Sequence, residues 1–188
     1  MKKTFLIIII IVFILIGSRL YPQSTYLIRE QVVLGNLSLT VLDVKTDNVI
    51  VQPTIIATEF PGGVYFSESK DFETLKAMPG NKFFLINLEM KNLGEDPIHL
   101  MGKEYKILYN KNNEVFYPGV ISRKSQKATD TEIKLHYYPH LITLQTLVSG
   151  QSIHGWIVFE IEETIKPTEF RWYDEFQSQE PLFIVILQ

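Results

Sequence analysis

The sequence contains no cysteine. That absence excludes thiol nucleophiles, zinc–thiolate sites and disulfides, and it excludes anchoring through a lipid-modified cysteine. Basic charge is scarce as well. Of the 18 Lys and Arg residues, Lys2, Lys3 and Arg19 stand in the N-terminal stretch, which leaves 15 against 21 acidic residues, a net of −6 for the rest. Such a body is repelled by phosphate backbones and anionic lipid heads, and no Lys/Arg stripe interleaved with aromatics offsets this, which argues against nucleic acid as a partner. No helical pattern of crossover length lies between the β-rich runs, so a parallel α/β fold is excluded. What is present suits a packed core. Hydrophobic residues make up 46% and charged residues 21% of 188 residues, enough for one domain without covalent staples.

Lys2 and Lys3 are followed by an unbroken apolar run from Phe5 to Ile16 and then by Gly17-Ser18. A cationic start held on the cytoplasmic side and an apolar run that partitions into the bilayer make an export signal. A buried core helix is the bland alternative, but five consecutive isoleucines leave no polar face at any helical angle. Continuing through Leu20 and Tyr21 gives about seventeen residues, interrupted by Arg19, at the lower limit for a span. The segment 1–21 is therefore a signal peptide or a signal anchor, and the body is extracytoplasmic in either case. Residues 22–33 read as a linker, with Pro22 blocking continuation of the helix, and 34–188 as the folded domain.

In that body the pattern turns from continuous to alternating. Leu37, Leu39 and Val41 have the period of a half-buried strand. Val49 to Ile56 is a second β-rich run, and Pro53 marks it as an edge or a kink. Pro61-Gly62-Gly63 is a turn. Asp71 to Met78 is the one stretch with helical character, ended by Pro79-Gly80-Asn81. From Phe83 to Asn92, the side chains of Phe84, Ile86, Leu88 and Met90 share one face, while Asn87, Glu89 and Lys91 share the other, a strand with one face in the core and one in water. Tyr105 to Tyr109 and Val115 to Tyr117 read as a hairpin around Asn110 to Asn113. Ser122 to Glu132 is polar and aperiodic, a long loop. Leu141 to Val148, Ile153 to Ile161, Phe170 to Tyr173 and Leu182 to Leu187 complete a count of eight or nine short strands, the pattern of an all-β sandwich.

Three stretches in order, NKFFLINLEMKNLGEDPI, YKILYNKNNEVFYP and LVSGQSIHGWIVFEI, carry a resemblance. Together they resemble the telokin-like, immunoglobulin-fold domain of exported bacterial and archaeal proteins of unknown function. Lys91-Asn92 matches the family's Lys-Asn before a turn. Ser149-Gly150-Gln151 and Gly155 with Phe159 match its later turn and Gly-x-x-x-Phe strand. The resemblance spans roughly Gly35 to Tyr173 and implies an immunoglobulin-like sandwich of about seven to nine antiparallel strands, often tethered by an N-terminal signal or anchor. It carries over no catalytic residue.

Candidate chemistry is thin. His136-Tyr137-Tyr138-Pro139-His140 has helical metal-ligand spacing, but Pro139 and the two tyrosines argue against a helix there and no acidic residue lies inside it. His99 and Met101 fall on one face of a short strand. Ser149 and Ser152 lie near His154, yet no Gly-x-Ser-x-Gly elbow exists. Glu162-Glu163 and Asp174-Glu175 are adjacent carboxylates that point apart on a strand or turn and read as solvated surface. Trp156 faces away from Ile157 and Phe159. It and Trp172 read as rings closing the ends of the sandwich, with an exposed aromatic patch as the alternative. Asn36-Leu37-Ser38 is a formal sequon. The expectation is a non-enzymatic extracytoplasmic interaction module without a cofactor. It would meet the membrane through its N-terminal segment and a protein partner through a sheet face, an edge strand or the loop from Ser122 to His140. The alternative is copper or zinc handling by His99, Met101, His136 and His140, and a hydrolase with an unrecognised site stands third.

Overall fold

The structure, a computed structural model, describes residues 25–60, 63–101, 105–119, 125–141, 144–173 and 181–187. The segment 1–21, the turn at Pro61-Gly62 and the pair Asp174-Glu175 lie outside the described residues. The chain runs through β1 (Thr25–Leu27), β2 (Gln31–Leu34), β3 (Leu37–Asp47), β4 (Val49–Phe60), β5 (Gly63–Lys76) and β6 (Asn81–Asn92). It continues through β7 (Ile98–Met101), β8 (Tyr105–Asn110), β9 (Val115–Phe116) and β10 (Gln126–Lys127) to a helix, α1 (Asp130–His136). The last strands are β11 (Leu144–Leu147), β12 (Ser152–Glu162), β13 (Pro167–Tyr173) and β14 (Phe183–Ile186).

Two sheets face one another. One has the order β1-β14-β13-β8-β9 and the other β12-β6-β3-β2. Alternating side chains from both interdigitate: Phe170, Trp172, Phe183 and Val185 from the first, Leu39, Val41, Ile86, Leu88, Met90 and Phe159 from the second. This shared apolar core makes the fold a β-sandwich. Trp172 lies inside it, 2% exposed and stacked on Phe183 at a centroid distance of 6.0 Å, rather than capping an end of the sandwich. The paired strands are antiparallel except β1, which runs parallel to β14.

A second apolar cluster lies on the back of the β6 sheet, where Phe83 and Leu85 of β6 and Val158 of β12 meet Ile50 and Leu75. The covering layer is the hairpin β4–β5, joined by β10 in the order β10-β5-β4. Beta-strand β6 therefore faces water on one side only along its second half, at Glu89 and Lys91, while Asn87 is half-buried. Its first half is buried on both faces, with Phe83 and Leu85 at 0% exposure. Pro53 does kink β4, which lies at the edge of its sheet and shifts register between Pro53 and Ile55.

Three further differences from the sequence reading have physical causes. Residues 71–76 are strand because β4 offers Glu73, Thr74 and Leu75 a complete ladder, and pairing overrides a weak helical preference. The stretch 22–33 holds β1 and most of β2, whose partners are β14 and β3, so these residues are part of the sheets rather than a linker. Within the polar stretch from Ser122 to His140, residues 122–124 lie outside the described residues, and the rest is an ordered strand, helix and extended segment.

Candidate functional site

That ordered stretch, 125–141, is strapped across the back of the β6 sheet. It begins with β10, whose Gln126 and Lys127 pair with Thr74 and Glu73 of β5. Thr129 then caps α1. Its hydroxyl accepts from the Glu132 N–H at 3.3 Å, and the Glu132 carboxylate accepts from the Thr129 N–H at 2.8 Å, a capping box. The helix stops at His136 because Tyr137 turns extended and Pro139 cannot continue it. Pro139 to Leu141 then run parallel to β12. The Trp156 N–H donates to the Pro139 carbonyl at 2.7 Å, and the Leu141 N–H donates to the Trp156 carbonyl at 3.1 Å.

Asp47, at the end of β3, holds the middle of this strap. Its Oδ1 accepts from the Val49 N–H at 3.1 Å, closing the turn into β4. Its Oδ2 accepts from His136 Nδ1 at 2.8 Å and from the Tyr138 hydroxyl at 2.9 Å. An ionised carboxylate only accepts, so the His136 proton sits on Nδ1. The Tyr138 ring meets Trp156 edge-on at 5.2 Å, and Lys45 Nζ stands 5.3 Å from the centroid of the same indole. Tyr137 meets Phe72 edge-on at 5.1 Å.

Burial alone would raise the Asp47 pKa. The hydrogen bonds from His136, Val49 and Tyr138, together with the His136 charge, outweigh it and hold the carboxyl below its ordinary value. Tyr138 moves the other way. Burial, then the hydrogen bond to Asp47 and the charge of that carboxylate, push its phenol up to about 12. The chemistry of the cluster is that of a tether, an acceptor whose two oxygens take three donors.

The strap exposes as much as it anchors. No residue of α1 is buried, and Leu135 points to solvent at 63% exposure, with Tyr137 beside it at 36%. Helix α1 is therefore a defined surface feature rather than a piece of core.

The candidate ligands from sequence are dispersed by this arrangement. His136 is held by Asp47, whereas His99 on β7 bonds Thr146 on β11 through Nδ1 at 2.7 Å. His140 lies against β12 beside Trp156, and the Met101 side chain lies outside the described residues. Among the described residues, no three His, Asp or Glu side chains gather as a metal site would require. Ser149-Gly150 forms a turn, with Gly150 at φ +74°. Ser152 and His154 are exposed on β12, and Glu162 and Glu163 are exposed at its end. Trp156 is half-buried under Tyr138 rather than forming an open aromatic patch. Sequence reasoning did not find Asp47 or Tyr138. The one legible signal was Thr129-x-x-Glu132, which announces a helix start where a loop was expected.

Two sheets around a common apolar core, with a third layer strapped to the back of one of them, define a β-sandwich domain. The chain belongs to the family described as Domain of unknown function (DUF4352), whose model matches residues 26–181. The resemblance to a family of unknown function, carried by three stretches of sequence, is thereby shown. Among solved structures, the chain is similar to an uncharacterized β-sandwich protein from Clostridium difficile 630, with 8% identity over 89% of this chain and 97% of that one and a TM-score of 0.48. It is similar to the yjhA protein from Bacillus subtilis, with 17% identity over 87% of this chain and 99% of that one and a TM-score of 0.48. A conserved hypothetical protein from Bacillus anthracis shows 16% identity over 78% of this chain and 87% of that one, with a TM-score of 0.47. No curated protein matches the chain. Among the described residues, no helix is long and apolar enough to cross a membrane.

Proposed function

We propose that this protein is a non-enzymatic, extracytoplasmic interaction module of immunoglobulin-like fold. The run from Phe5 to Ile16 delivers it across the membrane and either anchors it there or is cleaved. The partner is a protein at the cell surface or in the periplasm, and it meets the strap at α1. One observation carries this reading: α1 is capped at its start and tied at its end to Asp47, yet none of its residues is more than half-buried and it presents Leu135. Order with so little burial supports a surface feature kept for recognition, since a helix this short gains little from packing here.

Site-specific photo-crosslinking in producing cells tests it. A crosslinker at position 135 should capture one envelope protein that the same group at exposed Lys91 does not, and Leu135→Glu should abolish the capture at unchanged stability. An identical pattern from both positions would refute the reading. External protease should cleave the body in intact spheroplasts, and protection there would remove the extracytoplasmic assignment.

A further inference from the structure

A cleft lies at the end of the other sheet, away from the strap. Because β13 runs antiparallel to both β8 and β14, the start of β13 meets the ends of those two strands. Pro167 pairs with Asn110, and the Leu187 N–H donates to the Thr168 carbonyl at 2.9 Å. Between these chain ends opens a cleft of about 700 Å³, within the usual range for small-ligand sites.

Its lining is chemically one-sided. Lys111 and Asn112 come from the loop between β8 and β9, and Thr164 and Lys166 from the turn between β12 and β13; Ile165 and Leu187 supply apolar surface. Both lysines are exposed, and among the described residues neither is engaged in an ion pair or hydrogen bond. Among the described residues, no carboxylate lines the cleft. The nearest acid in the β8–β9 loop, Glu114, accepts from the Asn110 side-chain amide. Glu162 ends β12 and Glu163 stands in the second turn; both are exposed and neither is part of the lining. In a body of net charge −6, two lysines without partners among the described residues line one cleft.

The loop that carries Lys111 is held in place. Asn110 Oδ1 accepts from the N–H groups of Asn112 at 2.9 Å and Glu114 at 3.0 Å, and Asn113 takes φ +59° to close the turn. The other wall is fixed by the Ile165 N–H, which donates to the Glu162 carbonyl at 3.0 Å. Held loops lower the entropic cost of gathering donors on a ligand.

From this geometry we infer that the cleft binds a small phosphate-bearing ligand, its phosphate between Lys111 and Lys166 and its organic body against Ile165 and Leu187. The chemistry favours phosphate because lysine acts as a compact point charge, and a phosphate monoester brings about −1.5 to −2 charges at neutral pH to two such groups where a carboxylate brings one. The negative field of the whole body opposes long polyanions, but it is screened over about 8 Å at physiological salt and leaves a single phosphate free to enter. The site is separate from the strap and does not depend on its role.

Calorimetric titration of the full chain in neutral-detergent micelles with glycerol 3-phosphate tests this, with the same micelles doped with phosphatidylglycerol as a second arm. Saturable binding that weakens with salt is expected, and Lys111→Ala/Lys166→Ala should weaken it by about tenfold or more. Both lysines are exposed, so the variant should keep the wild-type unfolding curve. Binding of glycerol 3-phosphate that doped micelles do not displace assigns the site to soluble phosphates. Displacement by phosphatidylglycerol assigns it to lipid headgroups, and both outcomes support a phosphate site. No saturable heat at millimolar ligand, or equal binding by the double variant, overturns it.

Discussion

The side-chain amide of Asn92 donates to the Leu147 carbonyl at 3.0 Å, joining the end of β6 to the end of β11 across the edge of the core. The same amide donates to the Asp96 carbonyl at 2.8 Å, and its oxygen accepts from the Gly94 N–H at 2.9 Å. The backbone of Asn92 closes the remaining links, its N–H to the Gln151 carbonyl and its carbonyl from the Gly150 N–H, both at 3.0 Å. Asn92 is fully buried. The Lys-Asn and Ser-Gly-Gln motifs, far apart in sequence, are thus two halves of one hydrogen-bonded joint.

Asn92→Ala should therefore destabilise the domain by about 2–4 kcal/mol, since two carbonyls and an N–H lose their partners and the Leu147 carbonyl among them is buried. Urea unfolding measures this. A loss below about 1 kcal/mol would mean that the loops relax to find other partners.

Gly155→Ala tests a backbone crossing. A Cβ there would stand 2.5 Å from the Leu141 nitrogen and 2.6 Å from its Cα, and backbone cannot swing aside as a side-chain tip can. A loss of about 1–3 kcal/mol is expected, as for other overpacked positions. Faster amide exchange at Trp156 and Leu141, whose bonds tie the strap to β12, should accompany it. Unchanged exchange at both would contradict the crossing.

The Asp47 tether has a pH signature. Its folded pKa is depressed, so its stabilisation is present above the ordinary aspartate range and is lost as pH falls through the folded value. Asp47→Ala should cost about 1–2 kcal/mol at neutral pH, and it should shrink the part of the acid loss due to this group. Tyr138 carries the complementary sign. Its raised pKa means that its contribution is intact below the unfolded value and is lost as pH rises through about 12. In Asp47→Ala, absorbance titration should find Tyr138 ionising at lower pH, with Tyr138→Phe as the subtraction. The fluorescence of Trp156 should shift to the red as Tyr138 leaves it, while that of buried Trp172 should not. A variant with wild-type emission and titration would show that the strap is held elsewhere.

Thr129→Ala removes one half of the capping box. Such caps are worth about 0.5–2 kcal/mol, but no residue of α1 belongs to the buried core, so its opening need not open the sandwich. Hydrogen exchange should rise in α1 while the global urea midpoint stays put. An equal fall in the global midpoint would make α1 part of the cooperative core.

The core strands were legible because their signal is local. The alternation from Phe84 to Met90 sets one face of β6, and Pro53 marks an edge because proline donates no ladder hydrogen bond. The second face of β6 was not legible. Phe83 and Leu85 read as an extension of an apolar run, and only the hairpin folded over them makes them core. The strand at 71–76 and the strands inside 22–33 were missed for the same reason, since each exists through a partner distant in sequence. The tether was illegible because it joins Asp47 to His136 and Tyr138, some ninety residues on, with no motif spacing to connect them.

The sequence by itself determined the class of the fold and the exclusion of thiol chemistry. Each of these follows from composition or from a period of two to four residues. Tertiary structure alone decided that a polar stretch becomes a capped helix strapped over a sheet, and that Lys111 and Lys166 share a cleft. Both depend on which distant strands pair, and pairing is set by the burial of whole faces rather than by any local run of residues.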